Sequence, residues 1–298
     1  MRILVTGAAG YLGREVVRKL AVAGHTPIAM VRAGSGEIAG AGETRYADLA
    51  DAAALRAAVD GVDAVCHLAG LARARESVTD PLPFFRVNTE GTVALLEAMA
   101  GAGVERLVFA STGAIYGTPE RQPMGEDCPD APPHPYASSK LAAEYAIEAQ
   151  ARAGALGAIV VRLLNVAGGA DPDPTRLLPR TLAAARERSA LRINGDGTAV
   201  RDYLHVRDAA AAFAACLERV PAAGECTRYN IGSGRGTSVL DVVAAVERVT
   251  GLAVPVVHGP PAAEPAALIS DPAKALAELG WSPGRSTIDD IIEEMAAS

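Results

Sequence analysis

The stretch Thr6-Gly7-Ala8-Ala9-Gly10-Tyr11-Leu12-Gly13 lies between a short apolar run, Arg2–Val5, and an amphipathic stretch, Leu12–Ala23. Three glycines at three-residue spacing between a strand and a helix predict a dinucleotide-binding turn. The first permits a tight turn, the second lets the backbone approach a pyrophosphate, and the third lets the helix pack on the strand. A packing turn without a ligand is the alternative. The residues predicted to contact the cofactor here are Gly7, Gly10, Tyr11, Leu12 and Gly13.

Short apolar runs alternate with helical patterns through the first half of the chain, which predicts an α/β fold. Runs that are apolar on both faces are typical of buried parallel strands, and the patterns between them predict helices on both faces of the sheet. We therefore expect a Rossmann doubly wound parallel sheet. The predicted strands are Arg2–Val5, Pro27–Arg32, Thr44–Ala47, Ala64–Leu68, Arg106–Ser111 and Ala158–Leu163; the predicted helices are Leu12–Ala23, Asp51–Ala58, Thr89–Ala102 and Ala137–Ala153.

The regular alternation of strand and helix patterns ends after Asn165, and the later segments predict a smaller C-terminal α/β substrate lobe. We expect residues 1–165 to form the dinucleotide-binding domain and residues 166–298 to form mainly the substrate lobe, with some segments returning to the sheet. The pieces of this half are a loop at Gly168–Pro174, helices at Thr181–Arg188, Ser238–Thr250, Pro272–Leu279 and Ile288–Met295, and a Pro-rich connection at Pro255–Pro265.

Cofactor choice is normally set at the end of the second strand, where an acidic residue binds the ribose hydroxyls of NAD. This chain has Met30-Val31-Arg32-Ala33-Gly34 there, without an acid. Arg32 can instead pair with a 2′-phosphate, which favours NADP(H) over NAD; a solvated arginine is the alternative. After the third strand, Asp48 and Leu49 are expected at the adenine end. After the fourth, Leu68-Ala69-Gly70 predicts a close approach of backbone to the cofactor.

Tyr136 and Lys140 are four residues apart, so on a helix their side chains share one face. An ammonium and the positive nicotinamide ring lower the pKa of a phenol, and Tyr136 can then exchange a proton with an alcohol while hydride moves. Lys140 is also expected to hold the nicotinamide ribose. Thr112, at the end of the fifth strand, supplies a hydroxyl that orients the substrate. A capping threonine and surface Tyr and Lys side chains are the alternatives.

Motifs along nearly the whole chain resemble the extended short-chain dehydrogenase/reductase family, and within it the NAD-dependent epimerase/dehydratase group and its nucleotide-sugar 4-epimerases. This resemblance implies that Thr112, Tyr136 and Lys140 are catalytic and that the substrate is a nucleotide sugar. The motifs that carry it are Thr6–Gly13, His67–Gly70, Val87–Thr92, Ser111–Gly117, Tyr136–Lys140, Arg162–Asn165, Arg201–Asp208 and Tyr229–Gly232.

The resemblance also implies roles for three further residues. Asn88 lies near the active site and holds the cofactor or the helix geometry, Asn165 contacts the sugar diphosphate, and Arg201 binds its phosphates. An ion pair of Arg201 with Asp202 or Asp208 is the alternative. Relatives pair through a four-helix contact, so a homodimer is expected through Thr89–Ala102 and Ala137–Ala153, whose many small residues allow close helix approach.

Three departures from the family pattern bear on function. Gly113-Ala114 stand where dehydratases have an acidic pair, so water elimination is not expected. The acidic NAD-selecting residue is missing, as noted above. No arginine stands in Gly259–Glu264, where the family usually has a second phosphate-binding arginine. Candidates to supply that charge are Arg73, Arg75 and Arg176.

Composition limits the partners. The net charge of −7 over 298 residues makes nucleic acid an unlikely partner class. Charges interrupt the apolar stretches well before the roughly 18 residues that a membrane span needs. Met1 leads directly into the first strand, so we expect no leader peptide and a cytoplasmic location. The four scattered cysteines predict neither a disulfide framework nor a metal site.

The sequence thus favours an NAD(P)-dependent enzyme that epimerises C4 of a nucleotide-linked sugar through a transient 4-keto intermediate. An NADPH-dependent ketoreductase acting on a keto-sugar or another ketone is the main alternative, favoured by Arg32. A non-enzymatic dinucleotide-sensing module is a further alternative, although such a module has no need of the Tyr, Lys and hydroxyl set.

Overall fold

A computed structural model describes residues 1–262 and 264–297, and the secondary structure of this part follows the chain in a regular alternation. The strands are β1 (Arg2–Thr6), β2 (Thr26–Val31), β3 (Glu43–Tyr46), β4 (Ala64–His67), β5 (Arg106–Thr112), β6 (Gly157–Leu163), β7 (Asn165–Ala167), β8 (Leu191–Asn194), β9 (Val200–Arg201), β10 (Tyr203–His205), β11 (Cys226–Ile231), β12 (Thr237–Ser238), β13 (Val256–Gly259) and β14 (Ala267–Leu268). The helices are α1 (Tyr11–Val22), α2 (Ala52–Val59), α3 (Ala74–Thr79), α4 (Leu82–Phe84), α5 (Gly91–Ala102), α6 (Pro135–Arg152), α7 (Leu177–Glu187), α8 (Val206–Glu218), α9 (Val239–Thr250), α10 (Ala273–Leu279) and α11 (Ile288–Ala296).

Seven parallel strands form the central sheet in the order β3-β2-β1-β4-β5-β6-β11. The chain winds outward from β1 in one direction and then returns to add β4 on the other side. This doubly wound Rossmann topology confirms the predicted fold class. The strand order reverses between β1 and β4, and ligands of such sheets bind in the crevice at the carboxyl ends of these strands.

Helices cover both faces of the sheet, as the alternation predicts. On one face α1 and α8 pack side by side, and their apolar side chains join alternate strand residues such as Val5 and Cys66 in one core. On the other face α2, α5 and α6 cover the intervening strand residues, such as Leu4 and Val65. The predicted strands of the first half are confirmed to within one residue at each end.

The second half contributes more to the sheet layers than its sequence pattern indicates. α8 was not predicted; its repeated alanines conceal the apolar periodicity, and nine of its 13 residues are buried. β11 closes the sheet edge beside β6. The Pro-rich connection at Pro255–Pro265 also contains a strand that was not predicted, β13, which pairs in parallel with β8.

The smaller lobe has its own core, formed by α7, α9 and α11. The predicted helix at Thr181 begins earlier, at Leu177, because Pro179 is accepted in the first helical turn, where its missing N–H costs no hydrogen bond. Between α4 and α5, residues Phe85–Glu90 form a π-helical segment. No helix within 1–262 and 264–297 combines the length and apolar character that a membrane crossing needs.

Candidate active site

The glycine turn after β1 has the geometry of an anion cradle. Gly7 has a φ of +67°, and a Cβ there would lie 2.8 Å from the backbone N of Ala69. A Cβ on Gly13 would lie 2.2 Å from the Gly7 carbonyl oxygen. Exposed Gly10 precedes α1, which has no side-chain cap and no acid in its first turn. The free N–H groups and helix dipole therefore fit the pyrophosphate of a dinucleotide.

Tyr11 and Leu12 connect this turn to the rest of the molecule. The Tyr11 hydroxyl donates a hydrogen bond to the carbonyl of Gly168, in the loop after β7. Burial raises the pKa of Tyr11, so the phenol stays protonated and remains a donor. Leu12 packs against the core beneath α1. The start of α1 is therefore tied to a loop of the second half of the chain.

A buried hydrogen-bond chain fixes the carboxyl end of β4. The Thr6 hydroxyl oxygen accepts from the N–H groups of Leu68 and Ala69, each at 3.1 Å, so its proton is donated to Nδ1 of His67 at 2.7 Å. Nε2 of His67 then carries the ring proton and donates to the Thr92 hydroxyl at 3.1 Å. Burial lowers the pKa of His67 to about 3, which keeps the ring neutral.

Gly70 and Asn88 close the other side of the crevice. A Cβ on Gly70 would lie 2.8 Å from Oδ1 of Asn88 and 3.1 Å from Nζ of Lys140. Fully buried Asn88 exchanges two hydrogen bonds with the backbone of Leu71, at 2.8 and 3.0 Å, and donates a third to the Ser139 hydroxyl. Asn88 therefore joins the loop after β4 to α6.

The residues predicted at the adenine end surround the outer strands. Arg32 follows β2, is exposed, and has no ion-pair partner in the described part of the chain. Asp48 follows β3 by two residues, and its Oδ1 accepts from the N–H of Ala50 at 2.9 Å. Leu49 is buried, and its side chain lies against Gly91 at the start of α5. Of these three, Arg32 presents the positive charge, and Asp48 presents an exposed carboxylate.

Thr112, Tyr136 and Lys140 meet at the carboxyl end of β5. Thr112 is buried, and its hydroxyl accepts from the N–H of Ala114 at 3.1 Å. Burial raises the pKa of Tyr136, and the Thr112 hydroxyl beside it opposes that rise. Lys140 donates to the carbonyl of Ala110 at 2.9 Å, and burial lowers the pKa of its ammonium to about 8. The structure thus brings together the trio that the sequence proposed.

A buried charged group behind this trio was missed by the sequence reasoning. Glu144 lies one turn after Lys140, is fully buried, and forms an ion pair with Arg162 at 2.6 Å. Arg162 also contacts Asp130 at 2.8 Å, and Ser111 donates to Glu144. Glu144 opposes the fall in the pKa of Lys140. The available signal was the spacing of Tyr136, Lys140 and Glu144, which repeats every four residues along α6.

A cleft of about 670 Å³ opens between α3, the start of α7, and strands β7 to β10. Asn165 lines it and donates from its amide to the carbonyl of Asp202 at 3.2 Å. Six arginines and four carboxylates also line it, an excess of positive charge in a protein whose net charge is −7. The arginines are Arg73, Arg75, Arg176, Arg180, Arg192 and Arg201, and the carboxylates are Glu76, Asp171, Asp173 and Glu264.

Arg201 lies in the cleft, as expected for a phosphate ligand, but it has a protein partner. Its guanidinium pairs with Glu264 at 2.7 Å and also donates to the carbonyl of Pro265 at 2.9 Å. The alternative pairing with Asp202 or Asp208 is wrong. Asp202 accepts backbone N–H groups of the 233–234 turn, and Asp208 accepts from the 285–286 segment. Ala263, beside Glu264, lies outside the described residues.

The other candidate arginines differ in how they are neutralised. Arg176 pairs with Asp171 at 2.8 Å, and Arg73 pairs with Glu76 at 2.7 Å. The Arg192 guanidinium lies over Gly259, where a Cβ would come within 3.2 Å of Nε. The arginines of the cleft without an ion-pair partner among residues 1–262 and 264–297 are Arg75, Arg180 and Arg192.

The segment after Thr112 packs closely at Gly113. Gly113 opens a 3₁₀ turn that runs to Tyr116. A Cβ on Gly113 would lie 2.9 Å from Cδ2 of Leu164. The packing of this turn against Leu164 therefore favours glycine at position 113.

The strand-order reversal, the glycine turn and the paired Tyr136 and Lys140 together define the class, which is that of the extended short-chain dehydrogenase/reductase enzymes. The model of the "NAD dependent epimerase/dehydratase family" matches residues 3–232. The chain belongs to this family and is an enzyme, so the interpretation as a non-enzymatic sensing module is wrong.

Similar proteins agree with this assignment. The chain is 40% identical to a UDP-glucose 4-epimerase of Streptomyces lividans, over 96% of this chain and 93% of that protein. It superposes on the structure of UDP-glucose 4-epimerase from Brucella ovis in complex with NAD with a TM-score of 0.93, at 35% identity over 99% and 97% of the two chains. It superposes on UDP-glucose-4-epimerase from Stenotrophomonas maltophila, with bound NAD and formylated UDP-arabinopyranose, with a TM-score of 0.92, at 30% identity over 100% and 97%.

Proposed function

We propose that this chain interconverts the C4 epimers of a UDP-linked sugar through a transient 4-keto sugar, with NAD as its cofactor. The observation that carries the proposal is the meeting of Thr112, Tyr136 and Lys140 at the sheet crevice next to an arginine-lined cleft. The relatives named above support it, because they are UDP-glucose 4-epimerases that match this chain over nearly their whole length. Two of their structures have NAD bound.

The residues that would hold the cofactor are arranged along the crevice. The N–H groups at the start of α1 face the pyrophosphate, and Asp48 and Leu49 lie at the adenine end. The 68–70 backbone and Asn88 line the path toward Lys140. When bound, the nicotinamide supplies the hydride acceptor and donor for the reaction.

The chain's own residues move and stabilise the proton. Tyr136 removes the proton of the C4 hydroxyl as a phenolate and returns it to the oxygen when the keto group is reduced from the opposite face. Burial favours the neutral phenol, so the phenolate depends on positive charge nearby. We assign this role to the Lys140 ammonium, one helical turn after Tyr136. The Thr112 hydroxyl orients the C4 oxygen.

Binding the negative charge of the substrate diphosphate requires arginines that are not already paired with a carboxylate. Arg201 and Arg176 each carry a carboxylate partner, so each of these pairs is close to neutral. Arg75, Arg180 and Arg192 have no such partner in the described residues, and the guanidinium of Arg192 lies against Gly259, the first residue of the 259–264 stretch. We therefore assign Arg192 the role of the arginine that is missing from the 259–264 stretch. Asn165 and Arg201 contribute hydrogen bonds to the same group.

Elimination of water is not part of this proposal. A dehydratase needs an acid and a base beyond the proton-transfer tyrosine, and Gly113 and Ala114 provide neither. The packing of Gly113 against Leu164 opposes larger side chains at this place.

One observation favours a second candidate, an NADPH-dependent ketoreductase. Arg32 is exposed and lacks an ion-pair partner in the described residues, so it is available to a 2′-phosphate. An epimerase retains its cofactor, whereas a reductase exchanges NADP⁺ for NADPH in each turnover. The identity of the tightly bound dinucleotide therefore separates the two functions.

The proposal includes a homodimer formed through α5 and α6. Val93 on α5 and Tyr145 on α6 are partly exposed apolar side chains, and burial of such surface stabilises association. Light scattering at micromolar concentration should give twice the mass of the 30.5 kDa chain. A mass equal to one chain would contradict this part of the proposal.

The direct test is conversion of a defined substrate. The purified chain is incubated with UDP-galactose without added cofactor, and UDP-glucose is followed by chromatography. We expect an approach to equilibrium from either epimer, with NAD released on denaturation. No interconversion, together with NADPH oxidation in the presence of ketones, would instead support the reductase.

A further inference from the structure

His134 stands two residues before Tyr136 and begins the helix that carries it. Its Nδ1 accepts a hydrogen bond from the N–H of Ala137 at 3.2 Å, and its carbonyl accepts from the N–H of Ser138 at 3.1 Å. His134 is therefore the N-cap of α6. Ser, Thr, Asp and Asn are the usual residues at this position, because their side-chain oxygens accept such bonds without titrating near neutral pH.

The same imidazole ring contacts the phenol ring of Tyr136. The two rings are nearly parallel, with an interplanar angle of 15° and a centroid separation of 5.8 Å. Phe84 of α4 contacts the Tyr136 ring edge-on, at 6.3 Å and 68°. Aromatic pairs in these arrangements are attractive. The phenol is thus held by two rings, one of which also caps its helix.

We propose that His134 is a positioning residue for Tyr136 and acts only in its neutral form, with Nδ1 unprotonated. A neutral imidazole with its proton on Nε2 accepts from Ala137, whereas an imidazolium has an N–H at both positions and cannot accept. A cation at a helix N-terminus is also opposed by the helix dipole. Protonation therefore removes the cap and releases the first turn, which contains Tyr136.

The side chains that face Tyr136 do not titrate below neutral pH, so His134 is the group of this cluster that does. Tyr136 is faced by Ser77 of α3, Phe84 of α4 and Thr112 of β5, none of which titrates between pH 5 and 7. Lys140 on the same helix has a pKa of about 8. Burial lowers the pKa of His134 below its ordinary value of 6.5. The cap is therefore intact above that lowered pKa and is lost as the pH falls through it.

Two variants separate the two contacts. His134→Asn keeps a side-chain acceptor for the Ala137 N–H but cannot titrate, and His134→Phe keeps an aromatic ring but cannot cap. Wild-type kcat should fall as the pH drops below 6.5, and the Asn variant should lack this acid limb. The Phe variant should lose kcat about fivefold at pH 8, the equivalent of a cap worth about 1 kcal/mol. KM for the UDP-sugar should change less than twofold in both, because the cleft arginines lie elsewhere.

A second measurement does not depend on turnover. With ¹³C-labelled tyrosine, the ring signal of Tyr136 (identified by its loss in Tyr136→Phe) should shift with a midpoint below pH 6.5 in the wild type. It should be constant over that range in His134→Asn. A shift that persists in the Asn variant, or an acid limb that persists in its kcat, would overturn the role of His134. The pH dependence of kcat rests on the proposed function, but the NMR titration does not; an inactive wild type with the expected titration would refute only the proposed function.

Discussion

The crevice that fits the dinucleotide and the cleft that fits the substrate are built from different kinds of interaction. In the crevice, neutral buried groups such as Thr6, His67 and Asn88 are fully hydrogen-bonded to one another and to backbone. In the cleft, arginines pair with carboxylates, as exposed Arg73 does with Glu76 and half-buried Arg201 does with Glu264. The side chains of the crevice have their hydrogen-bond partners within the protein, whereas the proposed binding of a diphosphate in the cleft would require paired arginines to exchange partners.

This difference has a physical cause. Backbone N–H groups and a helix terminus recognise a pyrophosphate only at fixed positions, so the supporting side chains must be buried and satisfied. An exposed guanidinium retains its charge in any rotamer, and its pairing with a carboxylate is weak in water. Substitution of an exposed arginine in the cleft is therefore expected to be tolerated better than substitution of Gly7 or Gly13 in the crevice, where a Cβ would clash with backbone.

The largest effect is expected from the proton-transfer group in the crevice. Tyr136→Phe removes the phenol oxygen and leaves the ring contacts with His134 and Phe84 in place. We expect kcat to fall by roughly 10²- to 10⁴-fold, the usual contribution of a general acid–base. Steady-state kinetics measures the loss, and an unchanged thermal unfolding midpoint is the control. Turnover near the wild-type rate would place the proton transfer elsewhere.

A smaller effect is expected from Arg32, the exposed positive charge at the adenine end. A charge-assisted contact with a 2′-phosphate is worth about 1.5–3 kcal/mol, so Arg32→Ala should weaken NADP(H) binding roughly tenfold to a hundredfold. Binding of NAD(H) should not change. Isothermal titration with both dinucleotides measures the difference, and Arg56→Ala, an exposed arginine on α2, is the matched control. An equal loss for the two cofactors would return Arg32 to a solvated surface residue.

The smallest effect is expected in the substrate cleft. Arg192→Ala should weaken UDP binding by about tenfold, because an exposed charge-assisted contact is lost. Binding of uridine, which has no phosphate, should not change, and the effect should decrease at high salt. Arg56→Ala serves again as the control. If wild type binds UDP and Arg192→Ala binds it equally well, Arg192 does not supply the missing charge.

The sequence predicts the crevice well because its signals are local. The glycine turn, the strand ends and the spacing of Tyr136 and Lys140 each depend on residues within a few positions of one another. The parallel sheet then places the carboxyl ends of β1, β4 and β5 side by side without further information. α8 was missed for a comparable local reason, since six of its 13 residues are alanine, which conceals the apolar periodicity.

The cleft could not be predicted in the same way. Arg201 and Glu264 are 63 residues apart, and only the pairing of β9 with β14 brings them together. The same is true of the His134 contacts, because the capping role is local but the position of Phe84 against Tyr136 depends on how α4 packs against α6.

The amino-acid sequence by itself determined the doubly wound sheet, the dinucleotide turn and the Tyr–Lys pair, because strand and helix periodicity and glycine geometry act over short distances. The tertiary structure alone decided which arginines of the cleft are neutralised, that a buried Glu144–Arg162 pair lies behind Lys140, and that His134 contacts the phenol it precedes. Charge compensation and ring packing depend on distances between segments far apart in the chain, and only the packed fold sets those distances.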